Sequence, residues 1–460
     1  MQMSRTSQIV AGLVKLIDDG LLKPGDRLPS IRAGAEQYGI AKNSMVDVYD
    51  RLVALGYAQA QRGSGFFVTT VHRPRAIEER RPHVAEAVDL VWLLREQLDQ
   101  RYVARVGGGR PPPSWTEGSE LRKYLRPDRQ REAQIESGYG SPLGFAPLRE
   151  RIAVMLAERS IKAAPSQILL THGANHALDI IVRHLIEPGD VVLVDDPGYY
   201  PLYAKLKLAK ADMVGIRRNA DGPDLDDFES KAASGRAKVF FTQSLAHNPT
   251  GNSISLPNAH RVLQIAMRHD LHVVDDDPFA DVTPAASPRL AALDQLDRVI
   301  YVSSFSKTLS ASLRCGYVAA SPRIIDALVD VKMLSIVNSS GYVERVVHDL
   351  IASGQYRHHL KRLRERIKVA HGRAFELLKQ LDIPIFGSPS DGYYLWGQLP
   401  DHVSDLEFAR AAAEENIFTA PGSVFSPSRT LAKPHMRINI AYVNDARFLD
   451  FYRRYVNRSS

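Results

Sequence analysis

Residues 298–321 read RVIYVSSFSKTLSASLRCGYVAAS, two apolar runs separated by a serine-rich turn that carries Lys307. Short apolar runs bounded by turn residues predict buried strands. Five earlier runs have the same character and are separated by helical segments: residues 168–170, 191–195, 213–217, 238–243 and 271–276. This alternation is typical of a mainly parallel sheet wrapped by crossover helices. With 298–304 and 315–321 as the last two strands, the sequence predicts an α/β fold with a seven-stranded, mainly parallel sheet.

The last third of the chain follows a different pattern. Long helices are predicted from about residue 323, and the stretches 393–399 and 436–442 predict strands of a smaller α+β part. Single cores stop growing at roughly 250 to 300 residues, so a chain of 460 residues is expected to form at least two domains.

Residues 7–68 predict three short helices followed by a hairpin. The apolar residues of the first helix recur at helical spacing: Ile9, Leu13, Leu16 and Ile17. This helix is predicted to stop at Gly20, and Ser30 is placed to cap a second helix that runs to about Tyr38.

A third helix is predicted to begin at a cap on Asn43 or Ser44 and to end near Leu55. Its predicted inner face consists of four residues: Val46, Tyr49, Leu52 and Val53. A short turn at Gly39 joins the last two helices, which predicts a helix-turn-helix, a motif that places its second helix in the DNA major groove. Residues 62–64 then lie between two short strands as a small, basic-tipped wing.

Three motifs of this region resemble the winged helix-turn-helix of GntR-type bacterial transcription regulators. They are GLLKPGDRLPSIR at 20–32, KNSMVDVYDRL at 42–52 and RGSGFFV at 62–68. The sequence departs from the family at Gly34, where an apolar helix residue is usual. Because glycine inside a helix costs about 1 kcal/mol relative to alanine, we expect a close helix contact there.

The resemblance implies a double-stranded DNA operator as partner. Phosphate contacts are expected from basic residues of the second helix, the third helix and the wing: Arg32, Lys42 and Arg62, with Gly63 beside the last. Base reading is expected near Asn43, Ser44 and Asp47. Two alternatives stay open, since Arg32 can pair with a helix acid and Lys42 can be solvated.

The distribution of charge along the chain also supports DNA as the partner. Residues 1–75 hold ten Lys and Arg against six Asp and Glu, which is +4 of the net +7 of the whole chain. These charges are interspersed, which favours nucleic acid over a membrane surface. A single cysteine, no long apolar run and no secretory signal pattern predict a cytoplasmic protein without a membrane partner.

The domains are expected at 1–70 for DNA binding, 71–106 for a linker with a docking helix, and 107–460 for the large domain. Residues 69–83 are charged and punctuated by proline, which is typical of a linker. Apolar spacing then predicts a helix from Val84 to about Val106 that docks on the large domain.

Polar motifs lie at the strand ends of the large domain, where open α/β sheets bind ligands. In order they are YGSPLG, THGAN, DPGYYP, HNPTG, DDDPF, SSFSKTLSASLR and MRIN. Together they resemble class I aminotransferases of fold type I, which use pyridoxal 5'-phosphate (PLP), over roughly residues 107–455.

The resemblance implies a role for each motif. Lys307 matches the catalytic lysine that forms a Schiff base with PLP. The expected phosphate contacts come from side chains and from backbone at a helix start: Ser304, Ser306 and Arg314, with Gly173, Ala174 and Asn175.

Asp276 is the expected carboxylate partner of the pyridine nitrogen, although Asp275 and Asp277 are alternatives one residue away. Tyr199 matches the aromatic residue that stacks on the PLP ring, and Asn248 matches the donor to its phenolic oxygen. The alternatives are edge packing for Tyr199 and simple turn chemistry for Asn248.

Arg437 matches the arginine that grips a substrate carboxylate, with a plain surface arginine as the alternative. Tyr139 matches a tyrosine that reaches the phosphate of a neighbouring subunit, which implies a homodimer. The family's usual tyrosine is replaced by Phe279, so one hydroxyl donor to the phenolic oxygen is missing and efficient transamination is in doubt. His172, His176 and His247 lack the spacing of metal ligands, so no metal is expected.

A winged helix-turn-helix joined to an aminotransferase-like domain resembles the MocR subgroup of GntR regulators. This implies a transcriptional regulator that binds PLP through a lysine imine and senses PLP, an amine or an amino acid. Two alternatives remain: an aminotransferase that carries a DNA-binding head, and a regulator whose large domain only dimerises.

Overall fold

The computed structural model describes residues 5–61, 63–69, 82–98, 102–116 and 138–459. The chain divides into a head, residues 1–81, and a large unit, residues 82–460. The head contains three helices and a two-stranded antiparallel sheet: α1 Arg5–Asp18, α2 Ile31–Tyr38, α3 Lys42–Ala54, β1 Ala58–Gln61 and β2 Gly65–Val68. This is the predicted winged helix-turn-helix.

The second helix of the head begins and ends as its sequence predicts. The Ser30 hydroxyl accepts a hydrogen bond from the Ala33 amide at 3.2 Å and caps α2. Gly39 ends the helix in the left-handed conformation, at φ 61°, which glycine adopts without steric cost.

The start and the inner face of the third helix differ from the prediction. Residue Ala41 precedes α3 and offers no side-chain cap, so Asn43 and Ser44 lie inside the first turn. The buried residues are Met45, Val48, Tyr49 and Leu52. Val46 is half-buried and Val53 is exposed, so the predicted face was wrong at both ends. The stripe that packs on α1 and α2 instead begins at Met45 and continues at helical spacing.

The glycine inside α2 has the close helix contact that the sequence predicts. A Cβ on Gly34 would lie 2.9 Å from Met45 Cε and 3.1 Å from the Tyr49 hydroxyl of α3. That hydroxyl donates to the Pro29 carbonyl at 2.7 Å, so it is not free to move away. Gly34 therefore permits the close packing of α2 on α3.

The large unit contains fourteen further helices among its described residues. They are α4 Pro82–Leu90, α5 Trp92–Leu98, α6 Pro113–Thr116, α7 Ala146–Ala157, α8 Ala174–Leu185, α9 Tyr200–Leu208, α10 Leu225–Ala232, α11 Leu256–Arg268, α12 Leu290–Asp294, α13 Pro322–Ile336, α14 Gly341–Ala352, α15 Gln355–Gln380, α16 Asp405–Glu414 and α17 Ala446–Ser459.

All seven predicted strands form the central sheet: β3 Ile168–Thr171, β4 Val191–Asp196, β5 Asp212–Asn219, β7 Ala237–Thr242, β8 His272–Asp276, β9 Val299–Ser304 and β10 Gly316–Ala319. A two-residue strand, β6 Gly222–Pro223, adds an eighth at the edge. The order is β3-β10-β9-β8-β7-β4-β5-β6, with parallel pairing from β9 to β5. The strand β10 is antiparallel to both of its neighbours.

The smaller carboxyl-terminal sheet has one strand more than the sequence predicts. The predicted strands are β11 Tyr394–Gln398 and β13 His435–Asn439. The additional strand, β12 Ala420–Pro421, pairs with β13. Two residues are too short a run for a periodic pattern to reveal, and the same holds for β6.

The predicted docking helix is two helices, and it ends earlier than expected. Helix α4 packs on α9, and α5 ends at Leu98. Residues near Ala104 instead form a parallel bridge with Ile417. The apolar spacing of 84–106 therefore reflects continuous contact with the large unit, where Leu90 and Leu93 are buried, and not one continuous helix.

No helix in the described ranges is both long enough and apolar enough to cross a membrane.

We predict that Gly34→Leu weakens the head by about 1 to 3 kcal/mol, because the added side chain overpacks the contact with Met45 and Tyr49. Gly12→Ala in α1 is the matched control, since a Cβ there meets nothing within 4 Å and should stabilise α1 by up to about 1 kcal/mol. Native-state hydrogen exchange of α3 amides in the full chain measures both effects. Equal protection in the two variants would contradict the close-contact explanation.

Candidate functional site

A cavity of about 420 Å³ lies where the parallel strands end. Its wall includes nine of the residues that the sequence predicts: Ala174, Asn175, Tyr199, Asn248, Asp276, Ser304, Ser306, Lys307 and Arg314. They come from four different strand ends and one helix start, because parallel strands deliver their carboxyl ends to the same edge of the sheet. Gly173 directly precedes this group, whereas Tyr139 and Arg437 are not part of the cavity wall.

The three consecutive aspartates at the end of β8 have separate partners. Asp275 accepts from the amide and hydroxyl of Ser244 at 3.0 and 2.8 Å. Asp277 pairs with the buried Arg289 at 3.0 Å. Asp276 faces the cavity, so the register that the sequence favours places the expected residue there.

Asp276 is buried, and within the described ranges only one of its two carboxyl oxygens accepts a hydrogen bond. Its Oδ2 accepts from Gln243 Nε2 at 2.6 Å, whereas its Oδ1 has no partner among the described residues. Burial raises the pKa of Asp276 to about 7, despite the lowering effect of the Gln243 hydrogen bond. A cationic hydrogen-bond donor in the cavity would satisfy Oδ1 and favour the ionised carboxylate.

Gln243 is a cavity residue that the motif analysis missed. Its amide joins two expected site residues, since Nε2 donates to Asp276 and Oε1 accepts from the Asn248 amide at 2.9 Å. Its position in the sequence could have revealed it. Gln243 lies one residue past the end of β7, and β7 pairs with β8, the strand that ends at Asp276. Other missed wall residues are Leu94, Gln97, Leu98, Arg110, Pro278, Ala311 and Tyr394.

A buried ion pair holds the loop that carries Gln243 and Asn248. Asp195 pairs with Arg218 at 3.0 Å, and both side chains are almost fully buried. Asp195 Oδ2 also accepts from Thr242 Oγ1 and from the Gln243 amide, at 2.8 and 3.2 Å. His247 lies beside this pair, and burial lowers its pKa to about 4, so it is neutral at physiological pH.

One end of the cavity is shaped to accept an anion. Gly173 precedes helix α8 at a φ of 76° that suits glycine, and the first two residues of the helix, Ala174 and Asn175, line the cavity. A Cβ on Gly173 would lie 2.8 Å from Arg314 Nη2, so the guanidinium can approach the backbone closely. Arg314 also donates to Ser306 Oγ at 3.2 Å and to the His172 carbonyl at 3.1 Å.

Lys307 is half-buried and lines the same cavity. Its Nζ donates to the Gly109 carbonyl, and its own carbonyl accepts from the Tyr393 hydroxyl at 2.6 Å. The Tyr394 hydroxyl donates to the same Gly109 carbonyl at 2.9 Å. Residues around Gly109 therefore position the amine inside the cavity.

Phe279 occupies the position where the resemblance implies a tyrosine, and it is not part of the cavity wall. The ring is fully buried and packs edge-on against Tyr393 and Tyr394, at 5.2 and 5.5 Å between centroids. The hydroxyl of Tyr394 lies on the cavity wall nearby, although it is already engaged with Gly109.

Arg437 is buried, with 2% of its surface exposed, which excludes the alternative of a surface arginine. Its Nη1 donates to Asn248 Oδ1 at 2.9 Å, and Nη2 donates to the Gly107 carbonyl at 2.7 Å and to Gln97 Oε1 at 3.4 Å. Tyr139 is 83% exposed, and Asn338 Nδ2 holds its carbonyl at 2.6 Å.

The histidines do not form a metal site in the part of the chain that the structure describes. Burial lowers the pKa of His172 and His176, the latter to about 4. No group of three or more His, Cys, Asp or Glu side chains within the described ranges is arranged to hold a metal ion.

In the head, Arg32, Lys42, Asn43 and Gly63 are exposed and Ser44 is half-buried. Neither Arg32 nor Lys42 has an ion pair within the described residues, which leaves both charges available to a ligand. Asp47 instead pairs with Arg51 at 3.0 Å on the same helix. Arg62 lies outside the described residues.

The cavity fits PLP. The unpartnered Oδ1 of Asp276 suits a protonated ring nitrogen, and the start of α8 with Arg314 and Ser306 suits a phosphate. Lys307 supplies an amine in the same cavity.

We predict that Asp276→Asn stabilises the protein without cofactor. Burial raises the pKa of Asp276 from 3.8 to about 7, so the folded chain holds a proton that the unfolded chain releases. The free energy of unfolding therefore falls as pH rises through this window. The variant should gain about 1 to 3 kcal/mol near pH 8 and much less near pH 4, as measured by chemical unfolding.

Asp277→Asn is the matched control one residue away. It should destabilise the protein by about 3 to 5 kcal/mol, because Arg289 would remain buried without its carboxylate. If Asp276→Asn raises the free energy of unfolding equally near pH 4 and near pH 8, the titration of Asp276 is not the cause.

Comparisons with known proteins agree with this geometry. Residues 107–453 match the family model of aminotransferase class I and II, and residues 5–68 match that of bacterial regulatory proteins of the gntR family. YdcR, described as an uncharacterized HTH-type transcriptional regulator of Escherichia coli, is 27% identical over 455 residues, 96% of each chain. The probable rhizopine catabolism regulatory protein MocR of Rhizobium meliloti is 30% identical over 368 residues, 76% of this chain and 73% of its own.

Solved structures resemble the large unit. Kynurenine aminotransferase of Pyrococcus horikoshii, solved with PMP, has a TM-score of 0.73 and 25% identity, and the match covers 84% of this chain and 96% of the enzyme. LysN, an α-aminoadipate aminotransferase of Thermus thermophilus, solved with N-(5'-phosphopyridoxyl)-L-leucine, has a TM-score of 0.72 and 24% identity over 81% and 97% of the two chains. The chain therefore belongs to the aminotransferase class I and II family, and its gntR-type head makes it a helix-turn-helix regulator of the MocR type.

Proposed function

We propose that this regulator binds PLP in the cavity of the large unit and changes its DNA binding when the cavity receives an amine, an amino acid or PLP itself. The observation that carries the proposal is the unpartnered, buried Oδ1 of Asp276, which lies in one cavity with Lys307 and Arg314. An unsatisfied buried carboxylate oxygen is costly, so it favours a ligand that supplies a donor.

Several residues would hold the cofactor. Ser304, Ser306, Arg314 and the start of α8 would bind the phosphate, Asp276 would bind the ring nitrogen, and Tyr199 would pack on the ring. Asn248 lines the cavity while its Oδ1 accepts from Arg437, so its amide nitrogen would be the donor to the phenolic oxygen. Bound PLP would supply an aldehyde that reacts with primary amines and a ring that withdraws electrons.

The chain's own groups prepare this chemistry. Lys307 supplies the primary amine that would hold PLP covalently, and Asp276 would be ionised when a protonated ring nitrogen binds it. Gln243 aligns Asp276 with the Asn248 loop through its two hydrogen bonds. Arg437 would receive the carboxylate of a ligand through its guanidinium.

We also propose that the functional unit is a homodimer. Tyr139 is 83% exposed although its loop is held in place by Asn338, whose Nδ2 bonds the carbonyls of Tyr139 and Ser141 at 2.6 and 2.8 Å. An ordered, exposed tyrosine suits a contact with a second copy of this chain. In that arrangement Tyr139 would complete the phosphate site of the partner.

A second candidate is an aminotransferase that carries a DNA-binding head. The set of Lys307, Asp276 and Arg437 favours it, whereas the buried Phe279 removes a hydroxyl donor and argues against rapid turnover. Sustained turnover of amino donors and keto acids by the holoprotein would support this candidate. A single turnover would support the sensor.

We predict that Lys307→Ala abolishes the covalent attachment of PLP. After borohydride reduction and denaturation, the wild type should retain the pyridoxyl label and the variant should not. Lys162→Ala, an exposed lysine outside the cavity, is the control and should retain it. A label that persists in Lys307→Ala would place the amine elsewhere, and DNA affinity that is unchanged in this variant with every effector would remove the sensor role.

We predict that reversing the charges of Arg32 and Lys42 to Glu lowers affinity for duplex DNA at least about tenfold. Each residue is expected to contact a phosphate, so the slope of log affinity against log salt should become shallower by about 2. Nonspecific duplex serves as the probe because phosphate contacts do not depend on sequence. The double reversal of Lys361 and Lys379 on α15 is the control for net charge, and an equal loss there would contradict a specific DNA face.

A further inference from the structure

Helix α5 has a cavity on each side. Leu94, Gln97 and Leu98 line the cavity that contains Lys307. On its other side, Trp92, Leu93 and Glu96 line a second cavity of about 460 Å³, shared with residues of α16. Besides the buried Leu93, hydrogen bonds hold α5: the Tyr102 hydroxyl donates to Glu96, and Arg105 Nη2 donates to the Gln97 carbonyl at 2.7 Å.

The helix is also short and joined to a firmly held neighbour. It has seven residues, fewer than the roughly 12 to 15 that an isolated helix needs to be stable in water, so packing decides its position. Helix α4 is separated from α5 by Val91 alone and packs on α9, with Glu86 and Lys207 at 3.4 Å. Movement of α5 about Val91 is therefore possible while α4 stays in place.

Gln97 lies on the cavity wall and ties α5 to the buried Arg437, which is not itself part of the wall. Arg437 Nη2 donates to Gln97 Oε1 at 3.4 Å, a long hydrogen bond, and to the Gly107 carbonyl at 2.7 Å. Nη1 donates to the neutral Asn248 side chain, and Nε has no partner. Within the described residues, this buried cation has neutral oxygen acceptors and no carboxylate.

A carboxylate is a better partner for this guanidinium than an amide. Bonds between a guanidinium and a carboxylate are shorter and roughly twice as strong as bonds between neutral groups. The Gln97 contact is the longest of the three that Arg437 makes, so it is the one that a ligand displaces at least cost.

We propose that Gln97 is an internal stand-in for a ligand carboxylate, and that a carboxylate entering the cavity displaces it from Arg437 and releases α5. This inference rests on the proposed function and narrows it, because it selects amino acids over simple amines as effectors. An amine without a carboxylate fills the cavity and leaves Gln97 in place. Helices α4 and α5 are the first two helices of the large unit after the head in the sequence.

The test compares two probes on the full-length protein without cofactor. They are N-(5'-phosphopyridoxyl)-L-leucine and the same compound without its carboxylate, N-(5'-phosphopyridoxyl)isopentylamine. The ratio of their dissociation constants measures the contribution of the carboxylate to binding. We expect the wild type to prefer the leucine compound by about tenfold, since an arginine–carboxylate pair replaces neutral contacts.

Variants of Gln97 change this ratio in opposite directions. Gln97→Ala should raise the preference several-fold because no internal acceptor competes. Gln97→Glu should abolish it because the new carboxylate occupies Arg437. Arg95→Ala, an exposed residue of α5 outside the cavity, is the matched control and should keep the wild-type ratio.

Trp92 reports the position of α5 directly. It is 37% exposed and lies beside the second cavity. The leucine compound should change the fluorescence emission of Trp92, and the isopentylamine compound should not. Both compounds carry the same pyridoxyl group, so quenching by that group is the same in the two measurements. Trp92→Phe identifies the signal, and an equal response to both probes would show that α5 does not follow the carboxylate.

Failure of the proposed cofactor site and failure of the proposed role of Gln97 give different results. If neither probe binds the wild type, the proposed cofactor site is wrong and this inference falls with it. If both bind wild type equally, or if Gln97→Glu keeps the wild-type ratio, the cofactor site stands and the role of Gln97 is refuted.

Discussion

The site depends on one buried group, the carboxyl of Asp276, which lacks a full set of hydrogen-bond partners in the part of the chain that the structure describes. Asp276 ends the central strand β8, where both neighbouring strands are parallel, and its side chain is buried with an Oδ1 that lacks a donor within the described residues. Burial disfavours the ionised form, as the pKa near 7 indicates. The surrounding ion pairs, Asp195 with Arg218 and Asp277 with Arg289, keep the neighbouring loops rigid enough to maintain this arrangement.

A second buried group beside the cavity also has incomplete partners among the described residues. Arg437 is a buried cation with neutral acceptors, and one of these, Gln97, belongs to the segment that follows the DNA-binding head in the sequence. Interactions of this kind are well suited to sensing, because a ligand shifts an equilibrium only by the difference in its affinity for the two states. A carboxylate supplies such a difference at Arg437.

Much of the architecture follows from local patterns. The helix-turn-helix, the seven main strands and the cavity position of Lys307, Asp276 and Arg314 could be predicted, since apolar periodicity and turn residues act over a few positions. The cap of α3, the strands β6 and β12 and the break between α4 and α5 could not, because each depends on contacts with distant residues. Gln243 and Gln97 escaped prediction for the same reason, as neither belongs to a recognisable motif.

The sequence by itself determined the fold class, the two-part organisation and which residue types gather at the strand ends, since all of these depend on spacing along the chain. Only the tertiary structure decided which aspartate of the three faces the cavity, that Arg437 is buried, and that Gln97 is its partner. The physical reason is that burial and hydrogen-bond satisfaction belong to the folded whole. Arg437 and Gln97 are 340 positions apart in the chain, and they meet because helix α5 lines the ligand cavity.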